Sequence, residues 1–184
     1  MPRILVMGGS NSHTSINREL ARFAAKCVDA DCTQEVETIL LDLNDFAMPV
    51  FSVDLERQDG IPDAAKRFVN DIESCDGVVI SLAEHNGSYS VGFKNVFDWA
   101  SRYKVKVWSE KPMLLMATSP GGRGGSGVLG SASATFPHMG ADVVATFSLP
   151  GFSANFDSES GILDTDLKKA FEEAVSAFAA KLVE

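Results

Sequence analysis

Three glycine- and serine-rich stretches hold the residues best suited to grip a ligand: GGSNSHTSIN at 8–17, AEHNGSYSVG at 83–92 and SPGGRGGSG at 119–127. The first leads from an apolar run into a segment of helical spacing. A small-residue turn followed by a helix N-terminus leaves backbone N–H groups and the positive end of the helix dipole facing an anion. Ser10, Ser12, Thr14, Ser15 and Asn17 can add side-chain donors around Ile16. A nucleoside-triphosphate loop would need G-x-x-x-x-G-K-S/T and a dinucleotide loop G-x-G-x-x-G, but this stretch has no lysine and no glycine beyond Gly9, so both patterns fail. A hydroxyl-rich cradle for one terminal phosphate fits the residues; so does a plain polar turn with a good cap.

In the second stretch Asn86-Gly87 is a turn pair that brings backbone N–H groups close to whatever lies above them. A flat heterocycle could be hydrogen-bonded there. The alternatives are a simple turn or, formally, the glycosylation sequon Asn86-Gly87-Ser88. The third stretch, Ser119-Pro120-Gly121-Gly122-Arg123-Gly124-Gly125, is rich in a residue that loses much conformational entropy on ordering. Close approach of backbone to a ligand or a neighbouring subunit would account for it, as would a flexible surface loop.

These stretches need elements that bring them to one place. Apolar runs at 3–7, 36–43, 77–82, 112–118 and 142–149 alternate with segments of helical period, and several runs are continuously apolar, as strands covered on both faces must be. Helices are expected from Ser15 onward (Ile16, Leu20, Phe23, Ala24 and Cys27 inward, Thr14 or Ser15 as cap) and from Pro62 (Ala65, Phe68, Val69 and Ile72 inward). Others are expected at 91–102 (Phe93, Val96, Phe97 and Ala100 inward), at 127–135, and from Asp164-Thr165 to the end. The alternation predicts a single α/β domain over 1–184: a three-layer sandwich with a five-stranded parallel sheet and helices on both faces. In such sheets ligands bind beyond the carboxyl ends of the strands. The loops after the first, third and fourth strands are the three stretches above.

Composition narrows the partners. A net charge of −9 argues against nucleic acid and anionic membrane surfaces. The N-terminal apolar run is too brief for a signal-peptide core or a membrane span, which points to a cytoplasmic protein. Cys27, Cys32 and Cys75 lack a C-x-x-C spacing and read as buried or half-buried thiols, and His13, His85 and His138 are far apart, so no metal site is expected.

Taken together, the loops resemble the NADPH-dependent FMN reductase family, of flavodoxin-like fold with strand order 2-1-3-4-5, which includes quinone, azo-dye and chromate reductases. Gly9-Ser10 with Ser15 and Asn17 resembles the family loop G-S-x-R-x-x-S-x-N. Glu84-His85-Asn86-Gly87-Ser88, with Phe93 to Ser101, resembles P-E-Y-N-G-S and L-K-N-A-I-D-W-A-S, and Ser119 to Gly125 resembles S-P-G-G-R-G-G. The resemblance implies FMN as cofactor, with its phosphate on Ser10, Ser12, Ser15, Ile16 and Asn17. The isoalloxazine edge would lie against Glu84, His85, Asn86, Gly87 and Ser88 and against Ser119, Pro120, Gly121 and Gly122. It also implies NADPH or NADH as electron donor, ping-pong transfer to a small-molecule acceptor, no catalytic protein nucleophile, and a homodimer or homotetramer. In that assembly Phe93, Phe97, Trp99, Tyr103 and Trp108 would meet a second subunit, although helical spacing alone makes Phe93 and Phe97 ordinary core. Lys94, Asn95, Asp98 and Trp99 read as capping, packing or contact residues.

Three residues depart from the family pattern: Ser12 stands in place of the arginine, Ala83 of the proline and His85 of the tyrosine. Two competing readings follow. One is a flavodoxin-type electron carrier that does not oxidise NADPH directly, which suits the acidic charge; the other is a flavin-free or flavin-sensing descendant.

Overall fold

A computed structural model describes residues 1–183. The parallel strands are β1 (Arg3–Gly9), β2 (Glu37–Leu41), β3 (Gly77–His85), then β5 (Lys111–Thr118) and β6 (Ala141–Leu149), with a two-residue strand β4 (Ser88–Tyr89) between them. The sheet order is β2-β1-β3-β5-β6, the expected order for the five parallel strands, with β4 added antiparallel to the end of β3. A separate hairpin pairs β7 (Phe156–Asp157) with β8 (Gly161–Ile162).

The helices are α1 (Ile16–Asp31), α2 (Val53–Asp59), α3 (Asp63–Glu73), α4 (Val91–Tyr103), α5 (Ser126–Thr135), α6 (Phe152–Asn155) and α7 (Thr165–Leu182). Five of them fall where helical spacing places them. The short α2 and α6, with β4 and the β7–β8 hairpin, are additions that four- to seven-residue segments do not announce by period.

Burial explains the strand patterns. β3 is buried from Gly77 through Ala83, whereas β2 and β6, at the sheet edges, keep half-buried and exposed positions along their length. One face is covered by α3, α4 and α5, where Phe68, Ile72, Phe93, Phe97, Trp108 and Phe136 pack on Leu5, Ile80 and Leu115. The other is covered by α1 and α7, where Leu20, Ala24, Val28, Phe171 and Phe178 pack on Ile4, Val79 and Leu114. The inward face of α3 is as expected, but that of α1 is turned. Its buried line is Asn17, Leu20, Ala21, Ala24, Ala25 and Val28, while Phe23 and Cys27 sit at its margin. Three alanines let the helix approach the sheet closely, and the larger Phe23 is displaced toward Phe156 and Phe171, with ring centroids 5.4 and 5.5 Å away.

The subunit role implied for the aromatic residues needs correction. Phe93, Phe97, Trp99 and Trp108 are all buried within one chain, and of that set only Tyr103, 45% exposed, is open to a partner. Trp108 lies 4.6 Å from Phe136 and stacks on Phe97 at 5.7 Å. Trp99 donates its indole N–H to the carbonyl of Pro49 at 2.8 Å and meets Phe51 edge-on at 4.9 Å. Asn95 donates to the carbonyls of Met48 and Pro49 and accepts from the N–H of Phe51. Segment 48–51 is thereby strapped to α4, a packing role for Asn95 and Trp99. Among the described residues no helix is long and apolar enough to cross a membrane.

Candidate functional site

The register places Gly9 beside Leu82, Ala83 beside Thr118 and Thr118 beside Leu149, so β1, β3, β5 and β6 end level with one another. The three stretches singled out by composition therefore meet at one sheet edge. Between them lies an open cleft of about 230 Å³, lined by Ser10, Ser12, Ser15, Ile16 and Asn17 from the first, Ala83, Glu84 and His85 from the second, and Thr118, Ser119 and Pro120 from the third. Asn86, Gly87 and Ser88 stand beyond it, because β3 and β4 pair as a tight hairpin whose tip is Asn86-Gly87. Both tip residues have positive φ, 53° and 77°, the geometry a two-residue hairpin loop demands. Gly121 and Gly122 are likewise exposed outside the lining.

The first loop is folded on its own hydroxyls. The N–H of Ser12 donates to Ser10 Oγ at 3.2 Å and that of Thr14 to Ser12 Oγ at 3.3 Å. Ser15 is the cap of α1, its Oγ accepting the N–H of Arg18 at 3.2 Å. Ile16 and Asn17, in the first turn of α1, line the cleft, and N–H groups of a first helical turn have no intrahelical acceptor. The carboxamide of Asn17 has another task. It is buried, donates to the carbonyl of Thr118 at 3.1 Å, and accepts from the Thr118 N–H at 3.0 Å and from Ser81 Oγ at 2.7 Å. Thr118 Oγ1 in turn donates to the carbonyl of Leu149 at 2.7 Å. A polar string, Ser81–Asn17–Thr118–Leu149, thus ties α1 to the middle of β3 and to the ends of β5 and β6. Spacing did not reveal it; the signal in the sequence is a hydroxyl residue, Ser81 or Thr118, inside or closing an otherwise apolar strand.

A second tie runs from α4. Ser90 Oγ donates to the carbonyl of Gly9 at 2.7 Å and accepts the N–H of Phe93 at 3.2 Å, so the cap of α4 also fixes the end of β1. No lysine or arginine lines the cleft. Arg18, next after Asn17, turns outward, to Asp42 at 3.0 Å and to the carbonyl of His13. The hydrogen bond from the Asn44 N–H is the first reason the Asp42 carboxyl lies below the usual carboxylate range, and the charge of Arg18 adds to it.

The glycine-rich stretch is built into the fold. The N–H of Gly124 donates to the carbonyl of Gly121, the N–H of Gly151 to the same carbonyl, and the N–H of Phe152 to that of Ser119. Gly124 has φ 57°, and a Cβ there would stand 2.5 Å from Ser148 Oγ and 2.7 Å from the Pro150 nitrogen. Glycine is required because the loop passes directly over the end of β6. Burial pushes the thiols of Cys27, Cys32 and Cys75 upward, and none of them lines this cleft.

The donor set suits a phosphate monoester: three serine hydroxyls of the first loop and the backbone N–H groups of a helix start, with His85 and Pro120 also in the lining. It offers that ester neutral hydrogen bonds and no cation.

Comparison with known proteins identifies the family. Residues 2–154 match the family described as NADPH-dependent FMN reductase. A quinone reductase of Pseudomonas putida is 29% identical over 179 residues, covering 96% of this chain and 92% of that protein. The match to a quinone reductase of Escherichia coli (strain K12), also 29% identical, spans 63% of that protein's length and 67% of this chain. Among solved structures, the flavoenzyme NAD(P)H:(acceptor) oxidoreductase FerB of Paracoccus denitrificans superposes with a TM-score of 0.75 at 26% identity, covering 100% of this chain and 98% of that one. With more than half of its length matched, the chain belongs to the NADPH-dependent FMN reductase family.

Proposed function

We propose that this protein is an FMN-dependent oxidoreductase that takes electrons from NADPH or NADH and delivers them to a small acceptor of quinone, azo or metal type by a ping-pong sequence. The observation that carries the reading is the convergence of the Ser15-capped start of α1, three serine hydroxyls of the first loop and the ends of β3 and β5 on one cleft. The names of the relatives support the donor and the quinone class of acceptor.

In this reading Ser10, Ser12, Ser15 and the N–H groups of Ile16 and Asn17 hold the phosphate of FMN. The backbone at Glu84 and His85 and at Ser119 and Pro120 borders its ring. Bound FMN supplies hydride acceptance and onward electron transfer, chemistry the side chains of this chain do not carry. Their work is to orient the two stacked rings, exclude water and set polarity. His85, exposed at the end of β3, faces the ring side with an imidazole in place of a phenol. A second copy of the chain completes the pocket. Val50, Val53 and Val91 support this part of the reading, being large exposed apolar residues on the strapped segment, on α2 and at the start of α4.

The test is the visible spectrum of protein loaded with FMN, desalted and mixed anaerobically with NADPH. Retained colour that bleaches is the expected result. Retained colour that persists would replace the enzyme by an electron carrier, and colourless protein would remove flavin from the reading.

A further inference from the structure

Helix α5 begins without a cap of its own. Its N-cap position is Gly125, which has no side chain and sits at φ 75°. The missing acceptor comes from the neighbouring strand: Oε2 of Glu84, at the end of β3, accepts the N–H of Val128 at 2.8 Å. The Glu84 side chain is only 9% exposed, and its carboxylate lies against the first turn of α5 so closely that a Cβ on Gly127 would stand 2.8 Å from Oε2. A negative charge at a helix start is favoured by both the free N–H groups and the dipole. The other oxygen, Oε1, stands 3.8 Å from the guanidinium of Arg123, whose side chain is 83% exposed. That is a long, solvated ion pair of little strength, so Arg123 stands beside Glu84, itself a cleft residue, and remains open to an anion.

From this geometry we infer that Glu84 is a positioning residue: its carboxylate fixes the start of α5, and through it the 119–125 loop and Arg123, in the arrangement that receives the dinucleotide donor. Its side chain serves the loop, while its backbone borders the flavin ring. The inference deepens the function proposed above and rests on it for the identity of the donor.

Three forms of the FMN-loaded protein decide it: wild type, Glu84→Ala and Glu84→Gln. Hydrogen exchange is followed at the Val128 amide, with Leu114 and Leu115 in β5 as reference, alongside steady-state oxidation of NADPH. In Glu84→Ala the Val128 amide is expected to exchange about tenfold faster or more, the size of a lost charge-assisted hydrogen bond, with the reference amides unchanged. KM for NADPH should rise severalfold, the mark of weakened donor binding. Glu84→Gln keeps an oxygen acceptor and should restore most of the Val128 protection. Unchanged Val128 exchange in Glu84→Ala, equal loss at Leu114 and Leu115, or a fall in kcat at constant KM would each overturn the inference. Should wild type fail to oxidise NADPH, the proposed function falls and the exchange result alone decides the role of Glu84 in holding α5.

Discussion

Replacing Asn17 by alanine isolates the polar string that holds the site together. The side chain is 2% exposed and meets three partners: the Thr118 carbonyl, the Thr118 N–H and the Ser81 hydroxyl. Truncation leaves two donors and one acceptor without a partner among buried groups beneath the cleft. Each such group costs about 1–3 kcal/mol when fully orphaned. The Ser81 hydroxyl can rotate, and the vacated volume is close to that of a water molecule, so part of the loss is recovered. The expected destabilisation is about 2–4 kcal/mol, a large share of the roughly 5–15 kcal/mol that holds a domain folded. Urea unfolding should show it as a lower midpoint at unchanged slope. A second variant sharpens the reasoning. Asn17→Asp can still accept from Ser81 and the Thr118 N–H, but at neutral pH it turns a carboxylate oxygen toward the Thr118 carbonyl. It should be destabilised at pH 7 and recover as the carboxyl gains a proton to donate. A loss below about 1 kcal/mol for Asn17→Ala, or an Asn17→Asp protein as stable at pH 7 as wild type, would refute the argument.

Other perturbations probe the site and its surroundings. Ser12→Arg should tighten FMN binding by about tenfold or more, since a charge-assisted hydrogen bond to phosphate is worth about 1.5–3 kcal/mol; flavin fluorescence quenching measures it, and an unchanged affinity would mean that position 12 does not face the phosphate. Gly124→Ala drives a methyl into Ser148 and Pro150, so the loop must shift: thermal melting should fall by a few degrees, about 2–4 °C per kcal/mol for a chain of this size, with a higher KM for the donor. His85→Tyr should alter the acceptor profile and the pH dependence of turnover, and identical profiles would remove His85 from both roles. Asp42, whose folded pKa lies below its usual value, contributes stability above the ordinary carboxylate range that is lost as the pH falls through the folded pKa. The acid limb of stability against pH should therefore flatten in Asp42→Asn.

The parts of the molecule legible in the sequence are those governed by local period. The inward face of α3 and the five parallel strands follow from side-chain spacing, and the cap of α1 from a serine ahead of an apolar helix. The convergence of the three loops follows from the rule that parallel strands end on the same side. What stayed hidden depends on partners distant in sequence. The carboxamide of Asn17 bonds residues 64 and 101 positions away, and no spacing rule distinguishes a ligand donor from a structural tie. Glu84 reads as a loop residue beside a turn, yet its oxygen serves a helix 44 positions on. The aromatic residues of α4 and Trp108 illustrate the same limit, since their fate in core or interface rests on Phe136 and Pro49, which helical period does not place beside them.

The string from Ser81 through Asn17 and Thr118 to Leu149 bears on how such a protein can diversify. The frame that fixes the three loops is made of buried carboxamide, hydroxyl and main-chain groups, whereas the exposed Ser12, His85 and Arg123 take no part in it. Variation at those three positions leaves this string intact. A lineage, or an engineer, can therefore change these rim side chains by single substitutions without re-solving the folding problem each time.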